Sequence, residues 1–353
     1  MTVPLQLPPA VSDDSAWYGP DMAARKNWIH VFTQAEINEV ESAVVAALGN
    51  GKPMVEIGAG DFPLPNLRDR LGNARKDILS GRGFQLFRGL PLADRPIEWA
   101  AMAFWGLGTH FGNARSQNAQ GHMLGHVRDM GLSTDDPNVR IYQTTERQNF
   151  HTDSCDIVGL VCLKTAVRGG ISAIVSSMTV YNEIRKSAPD LLRLLFEPFA
   201  TDRRGEVPEG QKPYYMMPVF HWYRHLLSAV YTRPYINSAQ TNHPEAPRLS
   251  ADHVAALDLF DALANDPSLN LNIVFKPGDI QLLHNHTILH DRTAYEDAVD
   301  PAEKRHLLRL WLAAPDARVL PESFEPWYGS VEIGNRGGIM VPGTKLQAPL
   351  DPV

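Results

Sequence analysis

Cysteine is almost absent from the 353-residue chain, which contains only Cys155 and Cys162. Two cysteines in a chain of this size make neither a disulfide framework nor half of a thiolate zinc site. Both lie in an apolar segment, where cysteine usually behaves as a small buried residue. We therefore expect a reducing compartment, the cytoplasm.

The chain also lacks long apolar runs and blocks of basic residues. No stretch approaches the ~18 consecutive apolar residues that a membrane span needs, and the N-terminal residues do not resemble a signal peptide. With 33 Lys+Arg against 40 Asp+Glu, the formal net charge is −7, which argues against a nucleic-acid partner. The expected partner is a small molecule, with no nucleic acid and no membrane. The composition is also compatible with a homo-oligomer.

The first part of the chain carries mainly helical patterns. A capping box at Thr33–Glu36 predicts the start of a helix whose apolar face ends at Gly49. Further elements are predicted at 67–79 (helix), 83–91 (strand) and 99–107 (helix). No linker divides the sequence, so we expect a single domain over residues 1–353, with a mostly helical part at 1–80.

From about residue 139 the pattern changes to short apolar strands bounded by turn residues. Strands are predicted at 139–143, 156–163, 214–220, 271–275, 279–284 and 307–314, and helices near 181–196 and 254–263. This mixture favours an α+β protein with a jelly-roll core at 83–312 and helices packed outside it. The stretch 201–242 is predicted to be an insertion or lid, and 115–136 is a second lid candidate.

His151 and Asp153 stand immediately before an apolar strand pattern. On a strand, residues i and i+2 point to the same face. Two such ligands are part of the 2-His-1-carboxylate triad that holds ferrous iron with open positions. A solvated turn before the strand is the alternative, because the tripeptide alone is common.

A third ligand must come from elsewhere, and the best candidate is His290. It follows a predicted turn and strand at 277–284, and Arg292 stands two residues further on. The neighbouring His284 and His286 are interpreted as core or surface histidines.

The segment 304–312 predicts a strand with two arginines on an otherwise apolar face. Arg305, Leu307, Arg309 and Trp311 alternate along it. Arginine meets a carboxylate in a planar, bidentate fashion, so this face would suit a pocket that holds a dicarboxylate. A solvated face, or an ion pair with Glu303, is the alternative when the segment is taken alone.

Taken together, these motifs resemble the TauD/TfdA family of iron(II)- and 2-oxoglutarate-dependent oxygenases. The likeness runs from roughly Gly83 to Leu312. It rests on the segments GFQLFRGLP, NFHTDSCDIVGL, Gly169–Ser172, LHNHTILHDR and RHLLRLWL. The order and spacing of these motifs are more specific than any one of them.

The resemblance implies a distorted double-stranded β-helix, a jelly-roll core with flanking helices, and the cofactors Fe(II), 2-oxoglutarate and O2. It implies oxidation of an unactivated C–H bond of a small organic substrate, with release of succinate and CO2. The implied iron ligands are His151, Asp153 and His290. The implied co-substrate residues are Arg305 and Ser172, while Arg309 faces the active site and Asn285 precedes the distal histidine. Whether Arg309 binds substrate or co-substrate stays open.

Three further points concern individual residues or short stretches. Retention of Asp153 argues against the halogenating variant of this chemistry, which lacks that carboxylate. The stretch 115–126 offers no recognisable sulfonate-binding residues, so taurine is not implied as the substrate. Asp156 is either a partner that orients His151 or a surface residue at the strand end.

Two rival functions remain at this point. The same three ligands could hold zinc in a metal-binding β-sandwich, a hydrolase or a sensor. Cys155 could instead act as the nucleophile of a thiol hydrolase.

Overall fold

A computed structural model of the protein describes residues 6–133, 139–207, 210–341 and 343–352. Its helices are α1 Gly19–Arg25, α2 Gln34–Gly49, α3 Arg68–Ser80, α4 Ile97–Thr109, α5 Ser177–Ser187, α6 Pro189–Leu194, α7 Arg233–Asn242, α8 Ala251–Asn265 and α9 Glu325–Tyr328. Short 3-10 turns lie at Met54–Glu56, Ile141–Gln143, Pro301–Glu303 and Glu322–Phe324.

Among the described residues, the strands fall into two larger sheets and three small ribbons. They are β1 Ile29–Val31, β2 Phe84–Arg88, β3 Asn113–Arg115, β4 Gly125–Val127, β5 Gln148–His151, β6 Ile157–Lys164, β7 Arg168–Gly169, β8 Ser172–Ser176, β9 Phe199–Asp202, β10 Tyr214–Met217, β11 Phe220–Tyr223, β12 Leu226–Ala229, β13 Leu271–Ile273, β14 Ile280–His284, β15 Ile288–Arg292, β16 Tyr295–Glu296 and β17 His306–Ala313. In the described part of the chain, the larger sheet runs β1-β2-β14-β6-β17-β3, with β4 also paired to β17. The smaller sheet runs β13-β8-β15-β5.

Alternation along the strands builds separate cores on the two sides of the larger sheet. Val158 and Cys162 of β6 join an apolar cluster that includes Ile174 and Ile288 of the smaller sheet. Ile157 and Val161, which point to the other side of β6, pack instead with helices α2–α4. Helices α5–α8 cover the outer face of the smaller sheet in a third cluster. The two sheets therefore face each other between two helical layers, and the α+β class is confirmed.

Most of the predicted elements are present. Thr33 caps α2, its side chain accepts a hydrogen bond from the Glu36 amide, and the Glu36 side chain bonds back to the Thr33 amide. The helix predicted at 181–196 is wrong as a single element. It is two helices, α5 and α6, because Pro189 begins a new helix after the non-helical Ala188.

The strand predicted at 139–143 is also wrong. Ile141–Gln143 forms a 3-10 turn in which the Gln143 amide donates to the Arg140 carbonyl. The Gln143 side chain accepts from the Arg140 amide, at 3.1 Å, and closes the turn. Local hydrogen bonds thus outweigh the strand preference of Val, Ile and Tyr.

The two lid candidates are built differently from one another. The stretch 201–242 contains most of the β9–β10 hairpin, the β11–β12 hairpin and α7, with 208 and 209 outside the described residues. The stretch 115–136 contributes β4 and the end of β3, both paired to β17, and 134–136 lie outside the described residues. No helix among the described residues is long and apolar enough to cross a membrane.

Candidate functional site

Strand pairing within the smaller sheet brings two histidines together. β15 runs antiparallel to β5, and His290 is the cross-strand partner of His151, with ring centroids 4.1 Å apart. Strand β5 ends at His151, and Asp153 follows in the turn that leads to β6. One ligand-type atom from each of the three side chains lies within 4.8 Å of the others, and all three residues are buried.

Neighbouring groups fix the orientation of these side chains. The Nδ1–H of His151 is placed to donate to the Asn149 carbonyl at 2.8 Å, which leaves Nε2 as the electron-pair donor. Trp311 Nε1 donates to Asp153 Oδ2 at 2.9 Å. The Asp153 amide donates to Asn285 Oδ1 at 3.1 Å, so Asn285, in the turn between β14 and β15, holds the backbone of Asp153.

The surroundings set protonation states that suit a metal ion. Burial by itself raises the pKa of Asp153, but Arg309, His290, His151 and the Trp311 N–H together bring that pKa below its usual value. Burial lowers the pKa of His290 to about 3. An ionised carboxylate and a neutral imidazole are the forms that coordinate a cation.

The donor set fits iron(II). Two imidazoles and one carboxylate form the facial triad that non-haem iron oxygenases use, and the triad leaves coordination positions for other ligands. The sequence predicted these three residues, and the structure brings them together.

Arg305 and Ser172, the residues that resemble a co-substrate site, line the same cavity as His151 and His290. Ser172 Oγ donates to Gln281 Oε1 at 3.3 Å. Arg305 is 3 % exposed, and its Nη1 has no hydrogen-bond partner among the described residues. A buried guanidinium with an unused donor is a feature that an anionic ligand would complete.

Gly170 lies directly against Arg305. Its backbone is left-handed, with φ +65°, and a Cβ there would stand 2.9 Å from Arg305 Nε. A glycine at this position therefore gives the arginine side chain its space.

Arg309 lies between the metal ligands and two aromatic rings. Its Nε donates to Gln117 Oε1 at 2.7 Å, and its Nη1 is 3.6 Å from Asp153 Oδ2. The guanidinium also packs 4.7 Å from the ring centroid of Tyr142 and 5.0 Å from that of Trp311. The face predicted to carry Arg305, Leu307, Arg309 and Trp311 thus does point to the site, while Leu308, Leu310 and Leu312 pack with the helices.

Sequence reasoning assigned no role to Arg292, which also lines this cavity. It follows His290 by two residues on β15, so the spacing that related His151 to Asp153 applies here as well. That signal was present in the sequence.

The proposed contact between Asp156 and His151 is wrong, and Asp156 is no surface residue either. Asp156 is fully buried, and its Oδ1 accepts from Nε and Nη2 of Arg336, at 2.9 and 2.7 Å. The same oxygen is 2.9 Å from His286 Nε2, and Oδ2 accepts from the Ala314 amide. No local pattern in the sequence pointed to Arg336. His284 and His286 are both buried core histidines.

Cys155 is unsuited to nucleophilic catalysis. Burial first, and then the nearby Asp153 and Asp156, raise the pKa of its thiol well above the usual value. The side-chain Nδ2 of Asn285 donates to its sulfur at 2.8 Å. A thiol that does not ionise is a poor nucleophile, so the thiol-hydrolase alternative fails.

Comparisons with known proteins agree with this site. A family model described as taurine catabolism dioxygenase TauD, TfdA family matches residues 49–311, well over half of the chain. FR-33289 synthase of Streptomyces rubellomurinus is 29% identical over 89% of this chain and 93% of its own. The taurine hydroxylase-like protein SAT17 of Stachybotrys chartarum is 30% identical over 87% of this chain and 80% of its own.

Similarity also extends to solved structures. Asparagine oxygenase bound to Fe(II), 2S,3S-3-hydroxyasparagine and succinate superposes with a TM-score of 0.63 at 16% identity, covering 81% of this chain and 93% of that chain. At this identity the likeness concerns the fold. Together the comparisons do not favour the alternative of a zinc hydrolase or sensor.

Proposed function

The chain belongs to the taurine catabolism dioxygenase TauD, TfdA family, and on that premise we propose how its own residues divide the work of an iron(II)- and 2-oxoglutarate-dependent hydroxylase. The enzyme class follows from the family and uses Fe(II) and 2-oxoglutarate. The individual roles below are our assignment. The observation that carries them is a cluster of three metal-ligating side chains, two of which line one cavity together with three buried arginines, Arg292, Arg305 and Arg309.

His151, Asp153 and His290 are the proposed iron ligands. Their support is mutual proximity, burial and the hydrogen bonds that orient His151 and Asp153. Trp311 and Asn285 act as positioning residues, because each holds one part of Asp153. Loss of such outer contacts typically weakens metal affinity or activity about 10–100-fold.

Arg305 and Ser172 are the proposed contacts of the distal carboxylate of 2-oxoglutarate. Arg305 offers a buried cation with an unused donor, and Ser172 offers a hydroxyl on the facing strand. Bound together, iron(II), 2-oxoglutarate and O2 supply the oxidation of a C–H bond, with release of succinate and CO2. The chain orients the reactants and excludes water, which is the part of the work that proteins do in cofactor enzymes.

The substrate is proposed to be a small organic molecule with an anionic group near Arg309. This guanidinium is buried, lies close to Asp153, and is held rigid by Gln117 and two aromatic rings. A rigid guanidinium group binds carboxylate, sulfonate or phosphate-type groups in preference to neutral groups. A contact there would set the distance between the reacting C–H bond and the metal ligands. The name of one relative, taurine hydroxylase-like, is compatible with an anionic substrate.

The finer features of the architecture are proposals too. We propose that the two facing sheets form a distorted double-stranded β-helix within a single domain over 1–353, with a mostly helical part at 1–80 and the jelly-roll core at 83–312. The support is the sheet order and the apolar cluster between the sheets. A cytoplasmic location is proposed from the two reduced, buried cysteines.

An anaerobic optical titration tests the ligand assignment. Ferrous iron is added to the purified protein first, and 2-oxoglutarate second. We expect a weak visible charge-transfer band only when both are present, and no band with Asp153→Ala, which removes an anionic ligand. A band of equal strength in Asp153→Ala would reject Asp153 as a ligand. With the band established, release of succinate serves to screen anionic substrates.

A further inference from the structure

Arg292 is a buried arginine that lines the cavity. Its positive charge has no role in the proposed binding of iron, 2-oxoglutarate or substrate. It ends β15, is 5 % exposed, and lines the cavity together with Arg305 and Ser172. Its Nη2 donates to the backbone carbonyl of Glu146. Its Nε and Nη1 have no hydrogen-bond partner among the described residues. One edge of the guanidinium is anchored to the backbone, and the remaining donors are unused.

Arg292 and Arg305 both contact the same aromatic ring. Both guanidinium carbons lie against the ring of Tyr295, at 4.8 and 5.1 Å from its centroid. Strand pairing adds a second link, since Arg292 is the cross-strand partner of Ser172. The guanidinium groups of Arg292 and Arg305 and the hydroxyl of Ser172 therefore lie at one end of the cavity.

No described carboxylate forms an ion pair with either arginine. Asp291, the neighbour of Arg292, is engaged by Arg147 at 2.7 Å. Asp297 Oδ1 accepts from the backbone amide of Arg305, and its Oδ2 has no hydrogen-bond partner among the described residues. Burial of a cation without a counter-charge is costly, and two adjacent buried cations repel each other as well. An anion bound between them removes both penalties.

We propose that Arg292 and Arg305 together form a two-arginine clamp for the distal carboxylate of 2-oxoglutarate. This inference rests on the proposed function, which supplies the co-substrate. A carboxylate has two oxygens with about four lone-pair sites, enough for donors from two guanidinium groups. Arg309 lies apart from this pair, with Asp153, Gln117 and Tyr142 as its neighbours. Arg292 and Arg305 would therefore bind the co-substrate, and Arg309 would bind the substrate.

The clamp predicts which ligands should respond to loss of Arg292. The measurement is calorimetric titration of the Mn(II)-loaded enzyme without O2, so that no turnover is needed. The two ligands are 2-oxoglutarate and 2-oxopentanoate, which has the same chain length but lacks the distal carboxylate. For Arg292→Met we expect 2-oxoglutarate to bind about 10–100-fold more weakly, from the loss of one or more charge-assisted hydrogen bonds. The affinity for 2-oxopentanoate should not fall.

Two further variants make the result specific. Arg292→Lys keeps the charge but loses the planar fork, and it should weaken 2-oxoglutarate binding less than Arg292→Met does. Arg128→Met removes one positive charge from a side chain that donates to the Pro301 carbonyl and does not line the cavity. We expect Arg128→Met to bind both ligands as the unmodified protein does, which controls for net charge.

The titration results distinguish failure of the two-arginine clamp from failure of the proposed function. Weaker 2-oxoglutarate binding with unchanged 2-oxopentanoate binding supports the clamp. An equal loss for both ligands shows a merely structural role and overturns it, as does unchanged 2-oxoglutarate affinity. In either of those cases the unmodified protein still binds 2-oxoglutarate in a metal-dependent manner, and the proposed function stands. If the unmodified protein binds no 2-oxoglutarate with metal present, the proposed function and the clamp fail together.

Discussion

Substituting Gly170 by alanine perturbs Arg305 without changing the arginine itself. The added methyl group would stand 2.9 Å from Arg305 Nε and 3.2 Å from its Cδ. The arginine is only 3 % exposed, so it has little room to retreat. We therefore expect the guanidinium to be displaced from the position in which it faces Ser172.

The magnitude has two separable parts. A non-glycine residue at φ +65° loses roughly 1–2 kcal/mol of stability from its left-handed backbone. Displacement of the guanidinium should remove about one charge-assisted hydrogen bond to 2-oxoglutarate, ~1.5–3 kcal/mol, or about 10–100-fold in Kd. Chemical unfolding measures the first part, and anaerobic calorimetry of the metal-loaded protein measures the second.

Gly51→Ala is the matched control. Gly51 has a similar left-handed backbone, φ +73°, with no atom within 4 Å of the added methyl group. It should lose the same stability and keep full affinity for 2-oxoglutarate. If Gly170→Ala also keeps full affinity, Arg305 either is not displaced or does not bind the co-substrate, and the reasoning is refuted.

Three other outcomes follow from contacts described above. Arg305→Lys replaces a fork by a point charge and should weaken 2-oxoglutarate in the same calorimetric titration; unchanged affinity would reject the role of this residue. Arg336→Met leaves Asp156 buried without its cation, and we expect a loss of about 3–5 kcal/mol in the free energy of unfolding by urea; a loss below about 1 kcal/mol, within the range of exposed pairs, would contradict it. Because the pKa of Cys155 is raised by burial, a thiol alkylating agent should leave succinate release intact while a chelator abolishes it, and inactivation by alkylation would reopen the thiol mechanism.

Period-two spacing explains what could be predicted of the site. His151 ends β5 and Asp153 follows two residues later in the next turn, while Arg305 and Arg309 line the same cavity from one face of their segment, so both relations were visible in the sequence. His290 was a candidate third ligand that the resemblance to a family supported, but its pairing with His151 was not predicted, because local spacing does not determine strand order. Arg292 could have been found by the same spacing from His290.

Other features depend on contacts between distant parts of the chain. Asp156 was expected near His151, but its partner Arg336 comes from a segment with no periodic pattern and lies far along the sequence. The 3-10 turn at Ile141–Gln143 shows the opposite case, where local hydrogen bonds override a strand-like composition. Pro189, by contrast, was a visible signal that the long helical pattern would break there.

The cross-strand pairing of His151 with His290 has a consequence for synthesis of the chain in the cell. The two residues are about 140 positions apart, and each is a proposed ligand of the metal. At roughly 5–20 residues per second, the ribosome reaches His290 about 7–30 s after His151. During that interval the nascent chain holds two of its three ligands and lacks the strand that carries the third. The complete iron site therefore cannot form before β15 has emerged and paired, and loading with metal belongs to the last stage of folding.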